Sequence, residues 1–540
     1  QEQRYGYQWE NTLSYRFKIK DDHNFSALIG QSIDKANLGE SISGGNKNTS
    51  FEGLDYAYLS NIQTFDPSGT YVGGAPFNET AISSFFGRVN YDFRETYLLS
   101  LIMRADGSSN FARGNRWGYF PSVSAGWVMS NEKFMESTKT WMDFLKIRVS
   151  WGQNGNQDIA PFQYMALYSF NNSYYFFSKD KSTWTVGAYP SILQNKDVTW
   201  ETSEQFDLGF DSRFFDGRLG LTFDWYQKKT KDWLVQAPIL ASYGAGAPYI
   251  NGGDVKNNGI ELSLNWNDHV GSFNYGATFN VGVNKNKVTR IANNEGYIDG
   301  EASSFVTNFV SIYRAQEGYP IGYFYGYKTD GVFQNYEQID NYPGAKLNDA
   351  KPGDLIYLDT NDDGRIDADD RVMIGDPNPN ATFGLTLNFA YKGFDLLVVT
   401  SGVLGNQIAT TYKDVNNYKQ NWPVHVYENR WHGEGTSNRY PRIDAASTRN
   451  WNDFSDIYIE NGDYLRIQNV TLGYDFKQLF PKMPLSQARL YMTVQNLYTF
   501  TGYYGMEPEI GFGMNYWAKG IDVGMYPTPR TLLFGANIKF

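Results

Sequence analysis

The sequence predicts a transmembrane antiparallel β-barrel, with short turns at one end of its strands and long loops at the other. Three observations lead there. Apolar and polar residues alternate over stretches of about nine residues or more, the length a tilted strand needs to cross a bilayer, whereas soluble strands average about five or six. Aromatic residues reach 17% (41 Tyr, 37 Phe, 14 Trp) against only 19% charged residues, as a wall with two aromatic girdles requires. The connections alternate between a few residues and several tens, the asymmetry of outer-membrane barrels.

The strands justify this one by one. Val89, Tyr91 and Phe93 share one face while Arg88, Asn90 and Asp92 share the other. After a two-residue turn read at Arg94-Glu95, Tyr97, Leu99, Leu101 and Met103 continue the apolar face opposite Ser100 and Arg104. Leu145, Ile147, Val149 and Trp151 alternate with Lys146, Arg148 and Ser150. Phe206, Leu208, Phe210 and Phe214 lead through Phe215-Asp216-Gly217 to Leu219, Leu221, Phe223 and Trp225. Ile260, Leu262, Leu264 and Trp266 repeat the pattern, as do Phe273, Tyr275, Ala277, Phe279 and Val281. Phe383, Leu385, Leu387 and Phe389 turn at Tyr391-Lys392-Gly393 into Phe394, Leu396 and Val398. Near Asn469 the parity slips, which reads as a bulge. The last residues place Leu532, Phe534, Ala536, Ile538 and a terminal Phe540 on one face, similar to the terminal signal of barrels folded by the outer-membrane assembly machinery.

About 14 to 16 strands are expected across residues 1–540, with long loops near 34–82, 155–202, 289–380 and 405–463. Ser43-Gly44-Gly45-Asn46 reads as part of the first of these loops. A propeller or solenoid is set aside because no period of about 40 to 50 residues is present.

Charge and chemistry exclude several functions. The net charge of −11 gives nucleic-acid binding no electrostatic support. With no cysteine there is neither a disulfide framework nor a thiolate site. The four histidines (His23, His269, His425 and His432) have no metal-ligand spacing, and no nucleophile or phosphate-cradling motif occurs, so the chain is not expected to be an enzyme.

One segment carries site chemistry. Asp359, Asn361, Asp363, Arg365 (through its carbonyl), Asp367 and Asp370 fall at the 1, 3, 5, 7, 9 and 12 positions of an EF-hand-type loop, with Gly364 at the sharp turn. Oxygens at that spacing wrap a hard cation, so a structural Ca2+ is expected; the alternative is a metal-free Asp/Gly turn. Tyr174, Tyr175, Trp422, Trp431 and Trp517 stand in the long loops as candidate ligand or partner contacts, or as loop packing.

Several blocks resemble the SusC/RagA family of TonB-dependent importers. They are Phe86-Gly-Arg-Val-Asn-Tyr-Asp-Phe93, Arg104-Ala-Asp-Gly-Ser-Ser-Asn-Phe111 and Trp117-Gly-Tyr-Phe-Pro-Ser-Val-Ser-Ala-Gly-Trp127. Leu145-Lys-Ile-Arg-Val-Ser-Trp-Gly-Gln-Asn-Gly155 and Gly253-Asp-Val-Lys-Asn-Asn-Gly-Ile-Glu-Leu262 follow. Tyr464-Leu-Arg-Ile-Gln-Asn-Val-Thr-Leu-Gly-Tyr474 and Tyr526-Pro-Thr-Pro-Arg-Thr531 complete the order. The resemblance implies an outer-membrane barrel of about 22 strands holding an N-terminal plug. Neither plug nor TonB box is recognisable here, so the chain is expected to be the C-terminal barrel portion. It also implies a SusD-like surface lipoprotein as lid, TonB as the energy source, and contact with lipid and lipopolysaccharide. The expected cargo is an oligosaccharide. An oligopeptide importer, or a non-transport scaffold barrel in a secretion or assembly complex, are the alternatives.

Overall fold

In a computed structural model the long alternating segments form one sixteen-stranded sheet. The structure describes the chain except residues 48–49, 51–52, 54, 56–57, 62–68, 171–173, 177–183, 237–238, 240, 301–310, 414–420, 445–447, 511–516 and 518, with the backbone alone at 174–176, 184–186, 241 and 448. The strands are β1 (Glu2–Ile19), β2 (His23–Gly45), β3 (Tyr71–Pro76), β4 (Thr80–Phe93), β5 (Tyr97–Ser108) and β6 (Trp117–Val128). Then come β7 (Met142–Asn156), β8 (Glu201–Phe214), β9 (Leu219–Lys231), β10 (Gly253–Val270) and β11 (Phe273–Ile291). Last are β12 (Ala381–Tyr391), β13 (Phe394–Leu404), β14 (Tyr464–Asp475), β15 (Gln487–Thr501) and β16 (Thr531–Lys539). Neighbours in the sheet are neighbours in sequence, save that β3 pairs with the far end of β2 and lies off the main path. Consecutive antiparallel pairing is what alternating turns and loops produce.

Two compact units divide the chain. The first holds Gln1–Ala125, Trp151–Ser203 and Asp232–Asn251; the second holds Gly126–Ser150, Glu204–Lys231 and Gly252–Phe540.

In the first unit, β1 and β2 form a hairpin that the parity reading had not singled out. Tyr5, Tyr7, Trp9, Leu13, Tyr15, Phe17 and Ile19 all stand exposed along β1. The turn between β4 and β5 has three residues, not two, because Phe93 pairs with Tyr97. Arg94 and Glu95 take φ of 54° and 51°, and the Thr96 amide donates to the Phe93 carbonyl at 3.0 Å. The first long loop begins near residue 46 rather than 34, since β2 continues to Gly45 and Ser43–Gly45 pair with β3. A register shift opposite Tyr5–Tyr7 lets β2 run on. Gly39, at φ +110°, packs so closely on the Gln3 carbonyl that a Cβ would not fit.

Along β5, Tyr97, Leu99, Leu101 and Met103 are 46%, 37%, 46% and 47% exposed. A soluble sheet would bury such a row; this one offers it to lipid. On the opposite face Arg104 Nε reaches Asp106 at 2.8 Å and its Nη2 reaches Ser84 at 2.9 Å. The hydrophobic core lies where the connections meet the end of β6: Phe111, Ile159, Val198, Trp200 and Leu234 pack with Phe120 of β6 and are buried. Trp200 closes this cluster by donating Nε1–H to the Arg116 carbonyl at 2.8 Å.

The second unit repeats the division. Ile147 and Val149 face outward while Arg148 between them bridges β7, β8 and β9, pairing with Asp211 at 2.7 Å and Asp224 at 3.0 Å. Two-residue turns at Gly271-Ser272 and Lys392-Gly393 close β10–β11 and β12–β13. Two turns on the same side are longer and carry 3-10 helices, Lys133–Thr140 and Phe476–Gln478. The bulge expected near Asn469 is present: β14 shifts register between Ile467 and Asn469 against β15. The long connections of this unit run over 292–380 and 405–463, with β11 continuing to Ile291 past the expected 289, and a further one, 502–530, precedes β16.

Candidate functional site: the long loops of the second unit

The loops in the second unit are folded bodies with their own cores. Tyr313, Phe324, Phe333, Leu355, Phe454, Ile408 and Ile521 are essentially inaccessible. Tyr297–Asp299, Tyr313–Gln316, Tyr323–Gly326 and Val372–Gly375 form a four-stranded sheet. Arg314 lies between the Tyr297 and Tyr325 rings, 3.9 and 3.6 Å from their centroids, and pairs with Asp299 at 2.7 Å. Loops that pack this way hold a surface in place, which suits a binding function.

Loops 405–463 and 502–530 are joined directly. Gln407–Thr410 pairs antiparallel with Ile459–Asn461 and parallel with Ile521–Asp522. Tyr503 donates its hydroxyl to Asp522 Oδ2 at 2.5 Å, while Asp522 Oδ1 accepts from the Gly524 and Met525 amides. Burial, and then the Asp522 carboxylate, push the Tyr503 phenol far above its ordinary range. On the wall side, Arg466 of β14 is 4% exposed and ion-pairs with both Glu507 and Glu509. Burial alone would raise the Glu507 carboxyl. The Thr528 hydroxyl, the Glu509 amide, Arg466 and the Thr528 amide outweigh it and hold the group below its ordinary value.

A groove lies between these loops. The short helix Val424–Glu428 sets the His425 ring against Tyr504 with centroids 4.4 Å apart and planes 11° from parallel. On one side of this pair is a cleft of about 710 Å³, bordered by Asn421, Trp422, Met506 and Asp522. On the other is one of about 490 Å³, bordered by Thr436, Ser437, Asn438 and Arg439. Both volumes fall in the usual range for small-molecule sites. Burial depresses the His425 pKa below 6.5, with Glu460 opposing and Arg439 adding to the shift, so the imidazole is neutral at pH 7. A third hollow, about 510 Å³, follows the polar face of β9 to β13 past Asp224, Glu261, Ser263 and Asn280 to Glu509.

The sequence-predicted residues fall as follows. Trp422 borders the groove, with Trp451 edge-on at 4.4 Å and Lys413 Nζ 4.7 Å from its ring. Trp431 donates to Gln334 Oε1 at 3.3 Å and packs on Gly353, within the loop body. Trp517 is buried edge-to-face on Tyr313, centroids 4.8 Å apart. The side chains of Tyr174 and Tyr175 lie outside the described residues. His425 and Tyr504 were not found from sequence, since neither sits in a motif and only the fold brings them together.

The 359–370 loop folds as a series of Asp-capped turns. Asp359 accepts from the Asp363 and Gly364 amides at 3.2 and 2.8 Å, and Asp363 accepts from the Arg365 amide at 2.8 Å. Asp367 accepts from the Asp369 amide at 2.9 Å. Buried Asp370 accepts from the Thr360 and Asp367 amides, each at 2.8 Å. Gly364 supplies the turn at φ +81°. Among the described residues no three His, Cys, Asp or Glu side chains converge into a metal-holding group. As the loop stands, its carboxylates cap local backbone amides.

Comparison with known proteins fixes the family. A family model described as TonB dependent receptor-like, beta-barrel, matches residues 1–497. TonB-dependent receptor P3 of Formosa agariphila is 33% identical over 544 residues, covering 98% of this chain and 52% of that protein. TonB-dependent receptor SusC of Bacteroides thetaiotaomicron is 30% identical over 469 residues, covering 85% of this chain and 43% of that protein. The chain thus spans about half the length of the curated relatives it matches. The RagAB peptide importer in its open-open state superposes with a TM-score of 0.79 at 24% identity, over 99% of this chain and 54% of that chain, a likeness of fold. Matched over most of its length by the family model, and carrying the lipid-facing rows such a wall needs, the chain belongs to the TonB-dependent receptor-like β-barrel family of the bacterial outer membrane.

Proposed function

We propose that this chain is the barrel portion of a TonB-dependent importer that takes up an oligosaccharide. The observation that carries the reading is the family match over residues 1–497. The packed loops of the second unit support it, because they border clefts with aromatic, amide and hydroxyl linings. In this reading a SusD-like surface lipoprotein covers the loops, and TonB acts through a plug-bearing part of the receptor. The 359–370 loop is proposed as a structural Ca2+ loop on the strength of its oxygen spacing and Gly364 turn. An oligopeptide is the second cargo reading, favoured by the fold shared with the RagAB peptide importer.

Purification of the whole receptor from native outer membranes tests the assembly. Co-purification of a surface lipoprotein in stoichiometric amount is expected, together with density between it and the loops in a cryo-EM map. A receptor that purifies alone with a permanently blocked lumen would support the scaffold alternative and contradict import.

A further inference from the structure

We infer that the stacked His425–Tyr504 pair is an aromatic platform for one ring of a neutral oligosaccharide, with the amides of Asn421, Asn429 and Asn438 bonding its hydroxyls. The inference rests on the import reading above and adds the subsite. Tyr504 is 65% exposed, yet its ring is held by His425 behind it, and His425 in turn meets Tyr440 edge-on at 6.2 Å. An exposed aromatic ring that is already fixed loses little freedom on binding, so its contact area is available to a ligand at low entropic cost. The pair divides two clefts, and Asn429 borders both, so a chain of rings passing from one cleft to the other crosses the platform.

The charge pattern selects the ligand class. Asp522 is occupied by the Tyr503 hydroxyl and two backbone amides, and Arg439 pairs with Glu460 at 3.0 Å. Glu428 is exposed at the groove's edge. What the groove offers along its exposed lining is amide groups: Asn429 Nδ2 donates to the His425 carbonyl at 2.7 Å and Asn438 Oδ1 accepts from the Val332 amide at 3.1 Å, which aligns both side chains. A peptide carboxylate or a sulfated sugar would lose solvation in the groove without meeting an uncommitted cation, since the lining Arg439 is already paired with Glu460. A neutral, hydroxyl-rich ring loses little and matches both the apolar face and the amides. The concavity also argues against a protein partner, whose standard interface buries about 800 Å² per side.

The test uses the whole receptor in detergent and calorimetric titration with maltohexaose, cellohexaose, laminarihexaose and mannohexaose, and separately with a tryptic digest of casein. At least one hexasaccharide is expected to bind. Tyr504→Ala should weaken it about tenfold or more, a loss of about 1.4 kcal/mol. Tyr504→Phe should stay within about threefold of wild type, and Asn429→Ala should weaken binding. Tyr427→Ala, an exposed ring outside the groove, should leave the affinity unchanged, and equal melting temperatures show that the variants fold. Wild-type affinity in Tyr504→Ala overturns the platform while leaving oligosaccharide import standing. Binding of casein peptides alone, or of no hexasaccharide, overturns the ligand class, whereas the import reading is decided by TonB-dependent uptake.

Discussion

Arg466 shows how one residue ties a loop to the wall. Its guanidinium is buried and shared between Glu507 and Glu509, so Arg466→Ala leaves a buried carboxylate without its partner. Breaking such a pair costs about 3–5 kcal/mol, so amides 503–509 should exchange hydrogen much faster in the variant while β14 stays protected. Unchanged exchange would show that the loop is held by its core alone. The same site has a pH signature. Because the Glu507 pKa is depressed in the folded state, its stabilisation is present above the ordinary value of 4.5 and is lost as pH falls through the lowered value. Protection at 503–509, corrected for the slower intrinsic exchange at low pH, should therefore fall on acidification in wild type and less so in Glu507→Gln. At the 359–370 loop, calorimetric titration of the whole receptor with Ca2+ should give a binding heat that Asp359→Asn with Asp363→Asn removes. The absence of heat would reduce the loop to its capped turns.

At the level of the strand, period-2 alternation was readable because lipid and lumen impose opposite chemistries on successive residues. Leu99, Leu101 and Met103 against Ser100 and Arg104 leave one solution for which face meets lipid. The chain has no cysteine, so single cysteines at residues 99 to 104 can be labelled cleanly in membranes. Those at 99, 101 and 103 should react with a lipid-soluble maleimide, and that at 100 with a water-soluble one; equal reactivity would contradict the wall. Leu101→Arg should destabilise by about 2–4 kcal/mol, read from the denaturant midpoint of the reconstituted protein. The turn at residues 94–96 was misjudged because one residue of turn length depends on cross-strand register, Phe93 with Tyr97, which local sequence does not encode. The extension of β2 was hidden by its glycines, which read as loop until Gly39 is seen packed on Gln3.

For the molecule as a whole, wall and loops obey different rules. The wall turns many of its large apolar residues outward, and the largest fully buried side chains, Phe111 in one unit and Tyr313 and Phe454 in the other, are in connections. The strands were therefore legible and the loops were not. A loop core is assembled from residues far apart in sequence, such as Ala409 and Ile521, paired in a parallel bridge between neighbouring strands. The aromatic residues singled out individually, Trp431 and Trp517, pack that core, while the His425–Tyr504 pair depended on two loops meeting.

The proposed function is import driven by TonB. The most direct measurement is accumulation of a fluorescent neutral oligosaccharide in the periplasm of cells carrying the whole receptor, with TonB present or depleted. Uptake that collapses on depletion, and that Tyr504→Ala reduces while Tyr504→Phe preserves, is the predicted result. Uptake that persists without TonB, or a receptor through which no oligosaccharide passes, would rule out TonB-driven oligosaccharide import.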